Sequence, residues 1–531
     1  MKDSSICSND AYGGCNLPKY KDYDECILHC TKEQAQKDYH MSMQTLDDFK
    51  KQLIVYIANS IIKSNSKEFE HDDIYKYFGV SSSIKQNELS KIKIIEDKLK
   101  NTTVVFNFIA FPVRDSRDDW DYKIVLNKLG KIHFNYCKFY LPYLEIENTQ
   151  CFFQDCEFYD NWSIKNYNLL TNQSNVIYQM CKFHNGISAA GSKPQDERLQ
   201  LTESQFSDCD FGKELVLEYV DIKVPLFNNR GHYKGSAKYL KVYHCNIDSR
   251  FVLNQYSIDN IEMQSSIFSD KFELKSNCSK EFSIDNCNFD SIADFYDSSF
   301  EKFNIRKSIF SNFTGFEECK FGNKEKLDKE DFISKFEYVT FLNKINFRNT
   351  TFNNGLDVAH ANFTEEPSFL NAEIEPLYTT RETFRSIKHS FDSIGNYLDA
   401  NKYFALEMKK YKEELTINKG KKTEKLIFWL NENISDFGQD YSKPLRLFIY
   451  STILFYLITL GFEYRHFLIN DPNIYDSVKS FYLAVNSFAL TIMPFKNLLA
   501  KNIEFISLFF SLWYSILIWQ TLVAVKRFTR R

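Results

Sequence analysis

Residues 298–321 read SSFEKFNIRKSIFSNFTGFEECKF. In this stretch a small residue is repeatedly followed by a variable one and then by phenylalanine, as in Ser298-Ser299-Phe300, Ser308-Ile309-Phe310 and Cys319-Lys320-Phe321. Along Phe300, Ile305 and Phe310 a large apolar residue returns at every fifth position. In an extended segment residues i and i+2 point to the same side, so the small and the large residue project inward together while the middle one faces solvent. A period of five with a local period of two is not helical, and it is too short for an ordinary strand and loop. It suits a chain that turns a corner every few residues and stacks coil on coil, each coil burying little by itself.

The same phrase extends in both directions. Upstream stand Cys137-Lys138-Phe139, Cys151-Phe152-Phe153, Cys156-Glu157-Phe158, Cys181-Lys182-Phe183, Cys209-Asp210-Phe211, Cys245-Asn246-Ile247, Ser266-Ile267-Phe268 and Cys287-Asn288-Phe289; downstream stand Thr350-Thr351-Phe352, Ala361-Asn362-Phe363 and Ala372-Glu373-Ile374. The middle slot is mostly Lys, Glu, Asp or Asn, as an outward position requires. Ala361-Asn362-Phe363 and Cys209-Asp210-Phe211 resemble the pentapeptide-repeat family, whose repeat carries Ala or Cys in the small slot and Leu or Phe at its centre. The resemblance implies a right-handed, four-sided β-helix, here degenerate and spanning residues 104–376, with ladders between coils. Breaks in phase at residues 191–199, 228–236 and 322–331 are expected to bulge out as loops.

The chain has 531 residues, too many for one core. Its net charge is -4, so nothing global points to a nucleic-acid partner. Phe (50) and Tyr (32) outnumber Gly (16) and Pro (10), which argues for a filled, extended core. The polar, acidic beginning is not a secretory signal. Of 13 cysteines, eight occupy the small slot, where an unpaired thiol behaves as a compact hydrophobe. That usage fits a reducing compartment.

Residues 1–43 carry Cys7, Cys15, Cys26, His29 and Cys30. Thiolate and imidazole are the ligands zinc prefers, and four of them close a tetrahedral structural site. So short a segment needs such a staple to fold. Two readings stand: a zinc knuckle in which His29 and Cys30 compete for the fourth place, or a tail of reduced, unliganded cysteines. Residues 44–103 show Leu46, Phe49, Leu53, Ile54, Ile57 and Ile61 at helical spacing and are expected to form a small helical cap.

Beyond the array, residues 377–444 return to helical spacing. Phe384, Ile387, Phe391, Ile394 and Leu398 read as a heptad seam, Gly395-Asn396 as a turn, and residues 419–425 as a basic run. Residues 445–531 hold two apolar stretches, 445–464 and 505–525, long enough to cross a bilayer as a hairpin. Lys443, Arg446, Lys526, Arg527, Arg530 and Arg531 flank it, and the positive-inside rule puts both chain ends in the cytoplasm of a bacterial inner membrane. Between the helices, residues 475–495 are too apolar for an exposed loop and too short to span, and read as a re-entrant segment sheltered by protein or a water-filled cavity. Helix, re-entrant segment, helix, with Ser435-Asp436-Phe437-Gly438 and Pro444-Leu445 upstream, resembles bacterial membrane proteins that append an ion-channel-like pore module to pentapeptide repeats. Thr491-Ile492-Met493-Pro494-Phe495 lacks the glycines of a potassium filter, so potassium selectivity is not implied. Asn486, Ser487, Thr491 and Pro494 are the candidate pore-lining residues.

Phosphate loops, metalloprotease helices and nucleophile elbows are not found in the sequence, and no enzyme activity is expected. The expected function is an oligomeric ion channel or pore with a cytoplasmic β-helical sensor or scaffold. The alternative is a membrane-anchored scaffold that docks a protein partner on the β-helix without conduction. A third variant joins the two, a stress or phage-defence effector whose repeats sense and whose pore depolarises the membrane.

Overall fold

The computed structural model describes residues 6–8, 15, 17–31, 43–64, 74, 77–78, 89–113, 122–193, 198–231, 233–326, 330–417, 422–463 and 504–529. The chain divides into two compact units, Met1–Tyr378 and Thr379–Arg531.

The first unit is a parallel β-solenoid of about 11 turns. Where the coils are most regular, each takes 21 residues, the separation between Tyr256 and Asn277 and between Cys287 and Ser308, which hydrogen-bond across adjacent coils. The strands Cys278–Asp285 and Ser299–Arg306 pair in two segments: Cys278 and Ser279 against Ser299 and Phe300, then residues 281–285 against 302–306. The next coil exposes the bend between these segments. Its insertion after Phe321 opens the corner, and the two segments become separate strands, Lys320–Phe321 and Ser334–Glu337. Asn288–Phe289 and Ala293–Asp294 form the remaining ladders, so each coil has four sides.

Ring stacking fills the interior. Phe268, Phe289, Phe310, Phe341 and Phe363 form one column with centroids 4.8, 4.6, 5.1 and 5.5 Å apart. Phe295, Phe316, Phe347 and Phe369 form another, at 4.5, 5.6 and 5.0 Å. Those distances match the roughly 4.8 Å between neighbouring strands, so a single ring per coil is the natural filling. Each such ring removed from water contributes about 1.5–3 kcal/mol. Middle slots such as Lys182, Asn288, Lys320 and Asn362 are exposed, as alternation requires. Phe152 departs from the pattern: it is buried, and His133 lies against it at 4.8 Å.

The corners explain the small slot. The residue before it has a positive φ: Ser276, Asn286, Asp297, Lys307 and Glu318 lie between 49° and 58°. A non-glycine residue there costs roughly 1–2 kcal/mol. The following small side chain secures the corner. Ser298 Oγ accepts the Asn277 N–H at 3.1 Å and donates to the Leu274 carbonyl at 2.7 Å. Cys319 Sγ donates to the Phe295 carbonyl at 3.0 Å, and Thr350 Oγ1 to the Phe316 carbonyl at 2.7 Å. Where the slot holds Cys, Ser or Thr rather than Ala, its side chain has, beyond its size, an atom able to bond the neighbouring coil's backbone.

The helix Met43–Ser64 closes the first coil. Leu46, Phe49, Leu53, Ile57 and Ile61 are buried along one face. Phe49 meets Phe111 and Tyr122 edge-on, and Tyr56 stacks on Phe106 while its hydroxyl donates to the Val105 carbonyl at 3.1 Å.

In the second unit the helix Arg381–Ser393 starts at Thr380, whose side chain accepts the Thr383 N–H. It packs antiparallel on Tyr397–Ile417: Phe391 stacks on Tyr403, Arg385 reaches the buried Glu407 at 3.0 Å, and Arg381 reaches Glu414 at 2.7 Å. The expected heptad seam ends early. Phe384, Ile387 and Phe391 are buried, but Ile394 and Leu398 are exposed, because the helix stops before Gly395 (φ 76°) and the next helix starts on a new face. Lys422–Ser435 and the tight turn Asp436–Gly438 lead into two apolar helices, Ser442–Glu463 and Glu504–Thr529.

Candidate metal centre and apolar hairpin

Cys7, Cys15, Cys26 and His29 come together with their ligand atoms within 4.8 Å of one another. Short backbone bonds set this up: the Cys7 N–H donates to the Leu17 carbonyl, and the His29 and Cys30 N–H groups both donate to the Cys26 carbonyl, a tight turn that swings His29 back over the thiols. His29 Nδ1 lies 3.5 Å from Cys7 Sγ and 3.4 Å from Cys26 Sγ, and Cys15 Sγ lies 3.7 Å from Cys26 Sγ. Tetrahedral ligation with Zn–S of about 2.3 Å and Zn–N of about 2.0 Å requires edges of roughly 3.8 Å between sulfurs and 3.5 Å from sulfur to nitrogen. The donor set and its edges fit a structural metal site. The Cys26 N–H also donates to Cys7 Sγ at 3.1 Å. Hydrogen bonding from Cys26, helped by His29 and opposed by burial, holds Cys15 down to about 4, while Cys26 is pushed far up by donating to it.

Cys30 is buried but stands outside this group. Adjacent residues in a turn point in different directions, and it is His29 whose Nδ1 lies beside the thiols. The knuckle braces the solenoid's beginning: the Ala110 N–H of the first coil donates to the Leu28 carbonyl at 2.8 Å, and Tyr20 Oη meets Thr45 Oγ1 of the capping helix at 2.9 Å.

The two apolar helices, Ser442–Gly461 and Ile506–Arg527 over their most apolar lengths, are long and apolar enough to cross a membrane. They pack antiparallel through a small aromatic core: Phe455 against Phe510 at 4.7 Å, Phe448 against Tyr514 at 5.1 Å, and Tyr514 Oη donating to the Ser451 carbonyl at 3.2 Å. Much of their remaining surface is bare. Ile449, Tyr450, Leu454 and Leu457 on one helix and Phe509, Leu512, Trp519 and Leu522 on the other are exposed. Threonine hydroxyls are satisfied within each helix: Thr452, Thr459 and Thr521 donate to the carbonyls four residues back.

At the hairpin's base a polar lock holds the second helix. Gln520 donates to Asn431 Oδ1 at 2.6 Å and accepts from Ser435 Oγ at 2.9 Å. Arg527 donates to the Phe437 carbonyl and lies over the Phe404 ring at 4.2 Å, and its own carbonyl accepts from Asn401 Nδ2. This lock was not foreseen from the sequence. Its signal was Gln520, an amide inside an otherwise apolar run. Asn486, Ser487, Thr491 and Pro494, with the whole stretch 475–495, lie outside the described residues.

Comparison with protein families, with characterised proteins and with solved structures returns no match.

Proposed function

We propose that this chain is an integral membrane protein whose hairpin assembles with further copies into an ion-conducting pore, carrying the β-solenoid as a sensing or scaffolding body in the cytoplasm. The observation that carries the membrane reading is the apolar surface of the hairpin: only 22% of either span is buried. A core helix of a soluble protein is covered on most sides, whereas these faces need lipid or another copy against them. Hydroxyls bonded to their own helix are the arrangement hydrocarbon demands. Lys443, Arg446, Lys526 and Arg527 at the hairpin's base support a cytoplasmic base. Two helices cannot enclose a path alone, so conduction requires an oligomer, with the apolar stretch 475–495 and its Asn486, Ser487, Thr491 and Pro494 completing the lining. The repeat phrase and the four-sided coil support placing the solenoid with the pentapeptide-repeat family. In the knuckle, the Cys3His set and its edges support zinc in a structural role.

A second reading, a membrane-tethered scaffold without conduction, is favoured by one feature. The hydroxyls of Thr452, Thr459 and Thr521 bond within their own helices, and so need no water path to be satisfied. Liposome flux of the reconstituted full chain separates the readings. The pore reading predicts ion flux that disappears when residues 475–495 are replaced by a polar linker. Liposomes that stay electrically silent with the unaltered chain leave the scaffold.

A further inference from the structure

Beside the polar lock the second unit holds an open cavity of about 520 Å³, lined by Lys388, Asp392, Ala400, Asn401, Phe404, Trp519, Leu522, Val523, Lys526 and Arg527. We propose that it binds the phosphate of an anionic phospholipid, a reading that rests on the hairpin lying in a membrane.

Its walls are of two kinds. Three cations and the Asn401 amide face one carboxylate, Asp392, so the lining is electropositive. Arg527 is held ready: the Phe404 ring and the Phe437 carbonyl fix its guanidinium, and among the described residues no carboxylate pairs with it. A planar fork of five N–H donors with one of them engaged is well suited to phosphate oxygens. Lys388 reaches Glu407 at 3.3 Å, which Arg385 also holds at 3.0 Å while itself pairing with Glu382 at 2.8 Å, so among the described residues Lys526 and Arg527 are the cations of the lining without an ion pair. The opposite wall is apolar, and it belongs to the outward face of the second helix, where Trp519 and Leu522 are 66% and 61% exposed. At 1.5 Å per residue, Trp519 lies about 12 Å along the helix axis from Arg527. That separation takes a ligand from a charged mouth to the aromatic level where headgroup gives way to acyl chain. A free phosphate has no use for the apolar wall, whereas a phospholipid uses both. Basic pockets beside membrane helices are the physical form that headgroup recognition takes.

The test uses the full chain, purified in a zwitterionic detergent from membranes already washed with alkaline carbonate. Native mass spectrometry then follows titration with phosphatidylglycerol, with phosphatidylcholine, and with inorganic phosphate. The proposal expects phosphatidylglycerol to bind in preference to phosphatidylcholine, to be undiminished by millimolar inorganic phosphate, and to weaken about fivefold for each cation removed in Lys526→Gln and Lys388→Gln. These two variants leave the Arg527–Phe404–Phe437 lock in place, so they remain informative if Arg527→Gln does not fold. Equal binding of the two lipids, or unchanged affinity in both lysine variants, overturns the proposal. Displacement by inorganic phosphate keeps the phosphate chemistry and overturns the lipid as its source. Release of the chain by the carbonate wash removes the membrane reading and this proposal with it; retention in the membrane without lipid preference removes this proposal alone.

Discussion

Replacing Ser298 by alanine isolates what the small slot does. The serine hydroxyl ties its coil to the one before it through two bonds, accepting the Asn277 N–H at 3.1 Å and donating to the Leu274 carbonyl at 2.7 Å. Alanine fits the volume but leaves that N–H unpaired, where Asn277 is fully buried and water cannot replace the lost partner. An orphaned buried donor costs about 1–3 kcal/mol. At about 1.4 kcal/mol per tenfold, local opening of that corner becomes roughly 5- to 150-fold more frequent. Solenoid coils interact mainly with their neighbours, so the effect should stay close to residues 274–298. Amide exchange of the full chain, read by mass spectrometry on peptides across Leu274–Lys280, should accelerate by that factor in Ser298→Ala while peptides around Phe139 and Phe158 keep their rates. Ser298→Cys restores a side-chain partner, as Cys319 provides one for the Phe295 carbonyl, and should recover much of the protection. Equal exchange in the parent and in Ser298→Ala would refute the view that the slot is chosen for bonding as well as for size.

Zinc analysis of the purified chain should find about one ion per chain, lost in Cys26→Ser and in His29→Ala but retained in Cys30→Ser; loss in Cys30→Ser alone would reverse the ligand assignment. Gly130→Ala should destabilise the first coils, because its Cβ would stand 1.9 Å from the Lys100 carbonyl oxygen, a backbone atom that cannot swing aside; a urea midpoint unchanged from the parent contradicts this. Burial works to raise the Asp221 carboxyl, but hydrogen bonds from Gln200, Arg198 and Asn246 hold it below its usual 3.8. With its folded pKa depressed, Asp221 contributes stability above pH 3.8 that is lost as pH falls through the folded value, so Asp221→Asn should lower the urea midpoint at neutral pH and flatten its fall under acid.

Much of the solenoid was legible because Phe300, Ile305 and Phe310 repeat at one spacing and because Lys182, Asn288 and Lys320 sit where only solvent is expected. The corners were not. Left-handed residues usually announce themselves as Gly or Asn, yet Tyr136, Met180, His244 and Lys307 hold the same φ of about 50° here. Tertiary bonding by the following residue, and stacking of corner side chains such as Tyr219 on His244, overrides local preference. At the knuckle, spacing alone left His29 and Cys30 equivalent, because the choice depends on the direction in which a tight turn aims each side chain. Ile394 and Leu398 misled the heptad reading because their periodicity continues through a helix end that Gly395 imposes. Arg527 read as a positive-inside residue, and its hold on Phe404 and Phe437 is a contact between distant segments that no local pattern encodes.

The central claim is that the solenoid is carried on a hairpin embedded in lipid. Alkaline carbonate extraction of membranes from cells expressing the full chain tests it most directly. Peripheral proteins leave the bilayer under this treatment, whereas two embedded helices with the exposed rows Tyr450, Leu454, Leu457, Phe509, Leu512 and Leu522 do not. The protein is predicted to remain in the membrane pellet; its recovery in the soluble fraction would contradict the account.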